Sequence, residues 1–151
     1  MWTELLDILL RLGAAFLLAL PLGWERELTA RSAGLRTFPL VALGACAYLL
    51  VGQQALGESA EAQARVLSGL LTGIGFIGGG AILKRERDVR GIATAASLWN
   101  TGAIGAAAAY GRYDLGLILS VANLFTLHLL RAFQRRNDPE KKEETPEGRL
   151  R

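Results

Sequence analysis

An all-α, polytopic membrane protein is what this sequence predicts: a compact bundle of about five transmembrane helices, N-terminus outside and C-terminus cytoplasmic. Three observations lead there. Charge is segregated along the chain; five stretches approach the ~20 mostly apolar residues a helix needs to cross a bilayer; and the basic residues between them fall almost entirely on one side. Bulk composition is less telling, since 51% hydrophobic and 21% charged residues would also suit a soluble chain.

The first stretch runs from Leu5 to Gly23. No basic region precedes it and no small-residue cleavage site follows, so it reads as a retained helix and not a removable signal peptide. Pro21 should bend or terminate it. Asp7 and Arg11 stand one turn apart on one face, and charge inside an apolar span is a functional candidate by default. The competing reading is a pair close enough to the outer interface to snorkel.

The second stretch, Thr37 to Val51, carries Pro39 in its first turn, where a missing N–H costs nothing. It also holds the single cysteine, Cys46, which excludes an intramolecular disulfide and reads as a small packed residue. The third, Val66 to Leu83, and the fourth, Ile92 to Tyr110, are rich in glycine and alanine. Gly69 and Gly73 are four apart, as are Gly75 and Gly79; with Gly78 and Gly80 they predict a helix surface that a neighbour can approach closely. In the fourth span Asn100, with Thr94, Ser97, Trp99 and Thr101, puts polar groups at mid-depth, where an amide needs a partner. Interhelical glue and ligand contact are the two readings.

The fifth stretch, Leu115 to Leu130, has His128 near its inner end, with no second His or Cys spaced to form a metal site. Trp2, Trp24, Tyr110 and Tyr113 fall at the predicted interfaces, where amphipathic aromatics belong. Residues 134–151 mix both charge signs with Pro139 and Pro146 and are expected to form a disordered cytoplasmic tail on a transmembrane domain of residues 1–133.

Orientation follows from the basic residues. Arg26, Arg31 and Arg36 lie between the first two spans, Lys84, Arg85, Arg87 and Arg90 between the third and fourth, and Arg131, Arg135, Arg136, Lys141, Lys142, Arg149 and Arg151 after the fifth. These make fourteen of the seventeen lysines and arginines. Only Arg65 and Arg112 fall in the opposite loops, so those loops are outside and the helix number is odd.

The two basic interhelical segments share a pattern. Gly34-Leu35-Arg36-Thr37 and Gly91-Ile92-Ala93-Thr94 each enter a helix through glycine, an aliphatic residue, any residue and threonine, a faint parallel repeat of hairpins of the kind transporters use. With Thr37 and Thr94 as N-caps, two helix N-termini beside Arg26, Arg31 and Arg36 would suit an anion. A lipid phosphate, a nucleotide phosphate and the protein's own Glu25 and Glu27 are the candidates. No metal-ligand cluster, nucleophile motif or dinucleotide fingerprint is present, and the run from Gly73 to Gly80 lies inside an apolar span, where a phosphate-binding loop does not belong. No cofactor and no nucleic-acid partner are implied.

Two sets of residues resemble the MgtC/SapB membrane proteins. Gly23-Trp24-Glu25-Arg26-Glu27, then Ala33-Gly34-Leu35-Arg36-Thr37 and Leu43-Gly44-Ala45, are similar to that family's first signature. Thr72-Gly73-Ile74-Gly75-Phe76-Ile77-Gly78-Gly79-Gly80-Ala81-Ile82, Val89-Arg90-Gly91-Ile92 and Thr94-Ala95-Ala96-Ser97-Leu98-Trp99 resemble its core. The resemblance covers residues 5 to 130. It implies a multi-pass protein of the bacterial inner membrane, linked to growth at low magnesium, in some members to survival inside host cells, and to modulation of membrane partners such as ATP synthase. Glu25, Arg26, Gly34, Arg36, Thr37, Gly75, Gly78, Gly80, Thr94 and Trp99 match the motifs one by one. Two departures stand out. The chain resembles the short form without an ACT-like C-terminal domain, and Ala62-Gln63-Ala64-Arg65 replaces an Asp-Pro-x-Arg start to the third helix, leaving Glu61 as the nearest acid.

A non-catalytic regulatory module that binds partner proteins or anionic lipid, as a homo-oligomer compatible with a dimer, is the favoured expectation. An oligomeric magnesium or small-solute transporter is the alternative. Against it, magnesium sites use carboxylates and retained waters, and every acidic residue here lies at a span end, in a loop or in the tail. An enzyme acting on lipid would rest on Glu25 and the arginines alone.

Overall fold

The computed structural model describes residues 2–29, 33–57, 59–85 and 88–137. They form five helices, α1 (Trp2–Thr29), α2 (Thr37–Leu56), α3 (Ala60–Gly80), α4 (Ile92–Ala109) and α5 (Tyr113–Asn137), with a short ribbon of β1 (Leu83–Arg85) and β2 (Asp88–Arg90) between α3 and α4. The five helices agree with the all-α expectation, and the short ribbon was not anticipated. Its strands are antiparallel, Leu83 opposite Arg90, Lys84 opposite Val89 and Arg85 opposite Asp88.

Helix boundaries follow local chemistry. Ser59 caps α3, its hydroxyl accepting from the Ala62 N–H at 3.4 Å, and an exposed Glu61–Arg65 pair (2.7 Å) one turn apart supports that end. At the other end α3 stops at Gly80, short of the expected Leu83. The Ala81 and Ile82 N–H groups turn back onto the Gly78 and Gly79 carbonyls at 3.0 and 3.1 Å, because three successive glycines favour helix poorly and the ribbon takes up the backbone groups that follow.

Pro21 does not end α1, which runs eight residues further to Thr29. The turns after it are held by burial of Leu22 and Gly23 and by side-chain bonds among Glu25, Arg26 and Thr29, which offset the bond lost at the proline. The segment expected as a loop at Glu25, Arg26 and Glu27 is therefore helical. Arg31 lies outside the described residues, as does the tail from residue 138. α5 continues to Asn137, into the first residues of the expected tail.

Helix α4 is the centre of the bundle, packed against α1, α2, α3 and α5, whereas α3 packs mainly on α2 and α4. Two cores result. One joins Ala15 and Ala19 of α1, Ala42, Cys46 and Leu49 of α2, and Ala108 and Ala109 of α4. The other joins Leu22, Phe38, Ala81, Leu98, Ile104 and Leu127.

Glycines in α4, not α3, make the closest approaches. A Cβ on Gly105 would meet Ala45 Cβ at 2.8 Å and crowd the Ala42 carbonyl, and one on Gly102 would run into Ile74. Of the six α3 glycines expected to pack, Gly78 does so, with Ala95 O 3.2 Å from where its Cβ would stand. Gly69, Gly73, Gly75, Gly79 and Gly80 have no such neighbour within 4 Å. The reason is geometric: α3 lies at the edge of the bundle, and most of its surface points away.

Helices α1 and α2 are long and apolar enough to cross a membrane, and Tyr113–Leu129 is a shorter apolar helix. Large apolar side chains point outward from several helices, among them Leu6, Leu17, Leu40, Phe76, Ile118 and Phe125, an arrangement costly in water and suited to lipid.

Candidate functional site

The last turns of α1 bury two opposite charges side by side. Arg26 Nη2 donates to Glu25 Oε1 at 2.8 Å while its Nε donates to Oε2, and both residues are more than nine-tenths buried. The Thr29 hydroxyl donates to the Glu25 carbonyl at 2.7 Å and lies 3.3 Å from Oε1. Removing two charges from water is expensive, and a two-pronged guanidinium–carboxylate contact is the geometry that best offsets the cost.

Glu27 points the other way. Its Oε2 accepts from the Leu35 N–H at 3.1 Å, placing one of the protein's own carboxylates at the entrance to α2. Gly34 allows this approach, since a Cβ there would collide with the Glu27 side chain. The Gly34 carbonyl then accepts from Thr37 and Phe38 N–H at 2.9 and 3.1 Å. Gly91 does the same for α4, accepting from Ala95 N–H at 2.8 Å, so both glycines receive a bond from the residue four positions on. Gly91 has φ +93°, open to glycine at little cost. Thr37 and Thr94 are not the N-caps: Arg36 and Gly91 occupy those positions without side-chain capping, and Thr94 lies inside the first turn of α4, buried.

A polar groove of about 550 Å³ opens among α1, α4 and α5, reached by Arg26, Thr29, Ser97, Asn100, Asn123 and Thr126. Its floor is stitched together. The Ser97 hydroxyl donates to Asn123 Oδ1 at 3.1 Å, Asn123 Nδ2 donates to Ser97 O at 3.4 Å, and the Thr101 hydroxyl donates to the same carbonyl at 2.8 Å. Nearby, the Ser120 hydroxyl donates to Leu18 O at 2.7 Å, tying α5 to α1. Asn100, half-buried on the wall, makes no hydrogen bond with a described residue. Its amide can donate twice and accept, so it has hydrogen-bonding capacity to offer within the groove.

The Asp7–Arg11 pair lies in a cleft at the other end of α1. Arg11 Nε stands 2.8 Å from Asp7 Oδ2 without hydrogen-bond alignment, and its Nη1 donates to Ala109 O at the C-terminus of α4. A cation at a helix C-terminus is favoured by the helix dipole, so Arg11 clips α1 to α4. Just beyond, exposed Arg112 grips Asp114 with bonds of 3.0 and 2.9 Å and lowers that carboxyl from 3.8 to about 2.

The residues singled out in the sequence therefore divide among separate places. Arg26 and Asn100 share the polar groove, with Glu25 paired to Arg26; Arg36 and Thr37 border an apolar groove between α2 and α3; Thr94 is buried; and Trp99 faces outward. Sequence reasoning missed Ser120 and Asn123. Their spacing of three on an otherwise apolar helix was the available signal. Among the described residues no group of three or more His, Cys, Asp or Glu side chains could hold a metal ion.

Comparison with known proteins gives this geometry its setting. The model of the MgtC family matches residues 12–136. The chain belongs to the MgtC family. Among its relatives in that family, protein SrpB of Synechococcus elongatus is 37% identical over 142 residues, covering 86% of this chain and 78% of SrpB. The "Putative magnesium transporter YhiD" of Escherichia coli K12 is 33% identical over 129 residues, 82% of this chain and 60% of YhiD. Protein MgtC of Salmonella typhimurium is 38% identical over 130 residues, 85% of this chain and 55% of MgtC. The chain thus spans little more than half of these last two relatives. No solved structure matches it.

Proposed function

We propose that this MgtC-family chain is a non-catalytic regulatory module of the bacterial inner membrane, linked to magnesium homeostasis, whose polar groove receives a helix of a membrane partner. In this reading all five helices cross the bilayer with the N-terminus outside. The partner helix comes from a second copy or from another membrane protein, and lays polar side chains against Asn100. Hydrogen bonding between helices is the ordinary currency of such contacts.

The state of Glu25 carries the reading. It is the carboxylate beside the groove, and both of its oxygens are held by Arg26, with the Thr29 hydroxyl against one of them. A divalent cation needs open oxygen ligands and charge neutralisation; here it would meet a guanidinium first. Groups that exchange hydrogen bonds suit the groove better than a bare ion.

The transporter reading keeps one specific support, the printed name of YhiD, at 33% identity. Reconstitution separates the two. Liposomes holding the purified chain and an enclosed magnesium indicator are expected to admit Mg²⁺ no faster than empty liposomes, while Asn100→Leu abolishes rescue of a deletion strain at limiting magnesium without lowering protein abundance. Saturable Mg²⁺ entry would replace the regulatory reading with transport.

A further inference from the structure

Between α2 and α3 runs a second groove, about 700 Å³, of opposite character. Its lining is almost wholly apolar, with Leu40, Leu70 and Ile77 on the walls. Gly44, Gly69 and Gly73 leave it open, each with no neighbour within 4 Å of where a Cβ would stand. Arg36, at the N-terminus of α2, closes one end. Arg36 is exposed and has no ion pair with a described residue. The two carboxylates nearest before it in sequence are engaged: Glu25 by Arg26, and Glu27 by the Leu35 N–H.

We propose that this groove is a site for an anionic phospholipid, one acyl chain lying along α2 and α3 and the headgroup phosphate on Arg36. Length and charge both argue for that occupant. From Arg36 to Tyr48, which also lines the groove, the helix rises about 18 Å at ~1.5 Å per residue. One leaflet of a hydrocarbon core is about 15 Å deep. A phospholipid brings an apolar chain of that reach and an anion at its end in one molecule. A helix of a second copy would fill the apolar part and leave the guanidinium unanswered. A basic residue at the end of an interhelical crevice on the positively charged side is also where anionic headgroups are recognised. The inference shares the membrane orientation of the proposed function but not its partner-binding groove, so absence or presence of Mg²⁺ flux leaves it standing.

Native mass spectrometry of the purified chain, offered equal phosphatidylglycerol and phosphatidylcholine, tests it. The parent is expected to retain phosphatidylglycerol about fivefold in preference, the advantage one basic residue confers near the surface. Arg36→Gln should bring the ratio to about one. Gly73→Leu has room for its side chain and should keep the helix content and a thermal transition no lower than the parent's by circular dichroism, yet lose retention of both lipids. Excess inorganic phosphate should leave phosphatidylglycerol bound. Equal retention of the two lipids by the parent, an undiminished preference in Arg36→Gln, displacement by phosphate, or a Gly73→Leu effect on oligomer mass with lipid count unchanged would each overturn the assignment, the last in favour of a second copy of the chain.

Discussion

Asn123 and Asn100 reach the same groove and do different work. Asn123 gives and receives hydrogen bonds with Ser97 across the α4–α5 seam, whereas Asn100 has no such bond with a described residue. Replacing Asn123 by alanine should therefore destabilise the bundle by about 0.6 kcal/mol, the average for interhelical bonds in membranes, and by at most about 1.7 kcal/mol. Asn100→Leu should leave unfolding in detergent micelles almost unmoved while removing function. Equal losses of stability in both variants would place Asn100 in the glue as well. A single sequence shows that both side chains are polar; which of them is already satisfied depends on the rotation of α5 against α4, information no local pattern carries. Arg112 and Asp114 offer a second test outside the apolar spans. Asp114 titrates near 2 in the folded chain against an ordinary 3.8, because Arg112 bonds its ionised form. A depressed acid stabilises the fold above about pH 4 and loses that contribution as pH falls toward 2. NMR titration should find the Asp114 pKa raised toward 3.8 in Arg112→Gln but still below it, since the Leu115 N–H continues to bond the carboxylate, and the stability of that variant should respond more weakly to pH across this window.

Glycine has opposite consequences in α3 and α4. Both segments are rich in glycine and alanine in the sequence, and a four-residue spacing made α3 the natural packing helix. The structure puts the close approaches at Gly102 and Gly105 of α4 and leaves most α3 glycines open. Small residues permit contact but do not say who makes it; that is set by the position of α4, packed against four helices at once. The same position explains why α4 is made mostly of Ala, Gly, Ser and Thr. A helix shielded on most sides needs to be thin more than it needs to be apolar. Two substitutions separate the roles. Gly105→Val should force α2 and α4 apart and cost about 1–3 kcal/mol or more by overpacking. Gly79→Ala meets no neighbour and should stabilise α3 by roughly 0.5–1 kcal/mol. Thermal denaturation in one detergent reads both, and a destabilised Gly79→Ala would mean that another molecule already packs on that face. Element boundaries were legible where a strong local signal exists: Thr37 and Ile92 begin their helices as expected. The proline in α1 and the ribbon after Gly80 were not, because tertiary burial overrides the first and backbone pairing over a few residues creates the second.

At the scale of the whole chain, the lopsided distribution of lysine and arginine makes a claim about the number of crossings that length and apolarity alone do not. Among the described residues only α1 and α2 meet the spanning criterion on their own. With the N-terminus outside, two crossings would return the chain to the outer side and put the basic ribbon and the end of α5 there. Five crossings put them inside, where positive charge is retained. Placing single cysteines in a Cys46→Ala background distinguishes the two, since the natural thiol is the one cysteine in the chain and is buried. Ala55 and Arg112 are exposed at the ends of α2 and α4, and Val89 is exposed on the ribbon. Ala55→Cys and Arg112→Cys should react with a membrane-impermeant maleimide added to intact spheroplasts. Val89→Cys should react only once the membrane is opened. If Val89→Cys were labelled in intact spheroplasts, α3 could not be a third crossing, and the polar groove beside Arg26 would have to be sought on a differently placed surface.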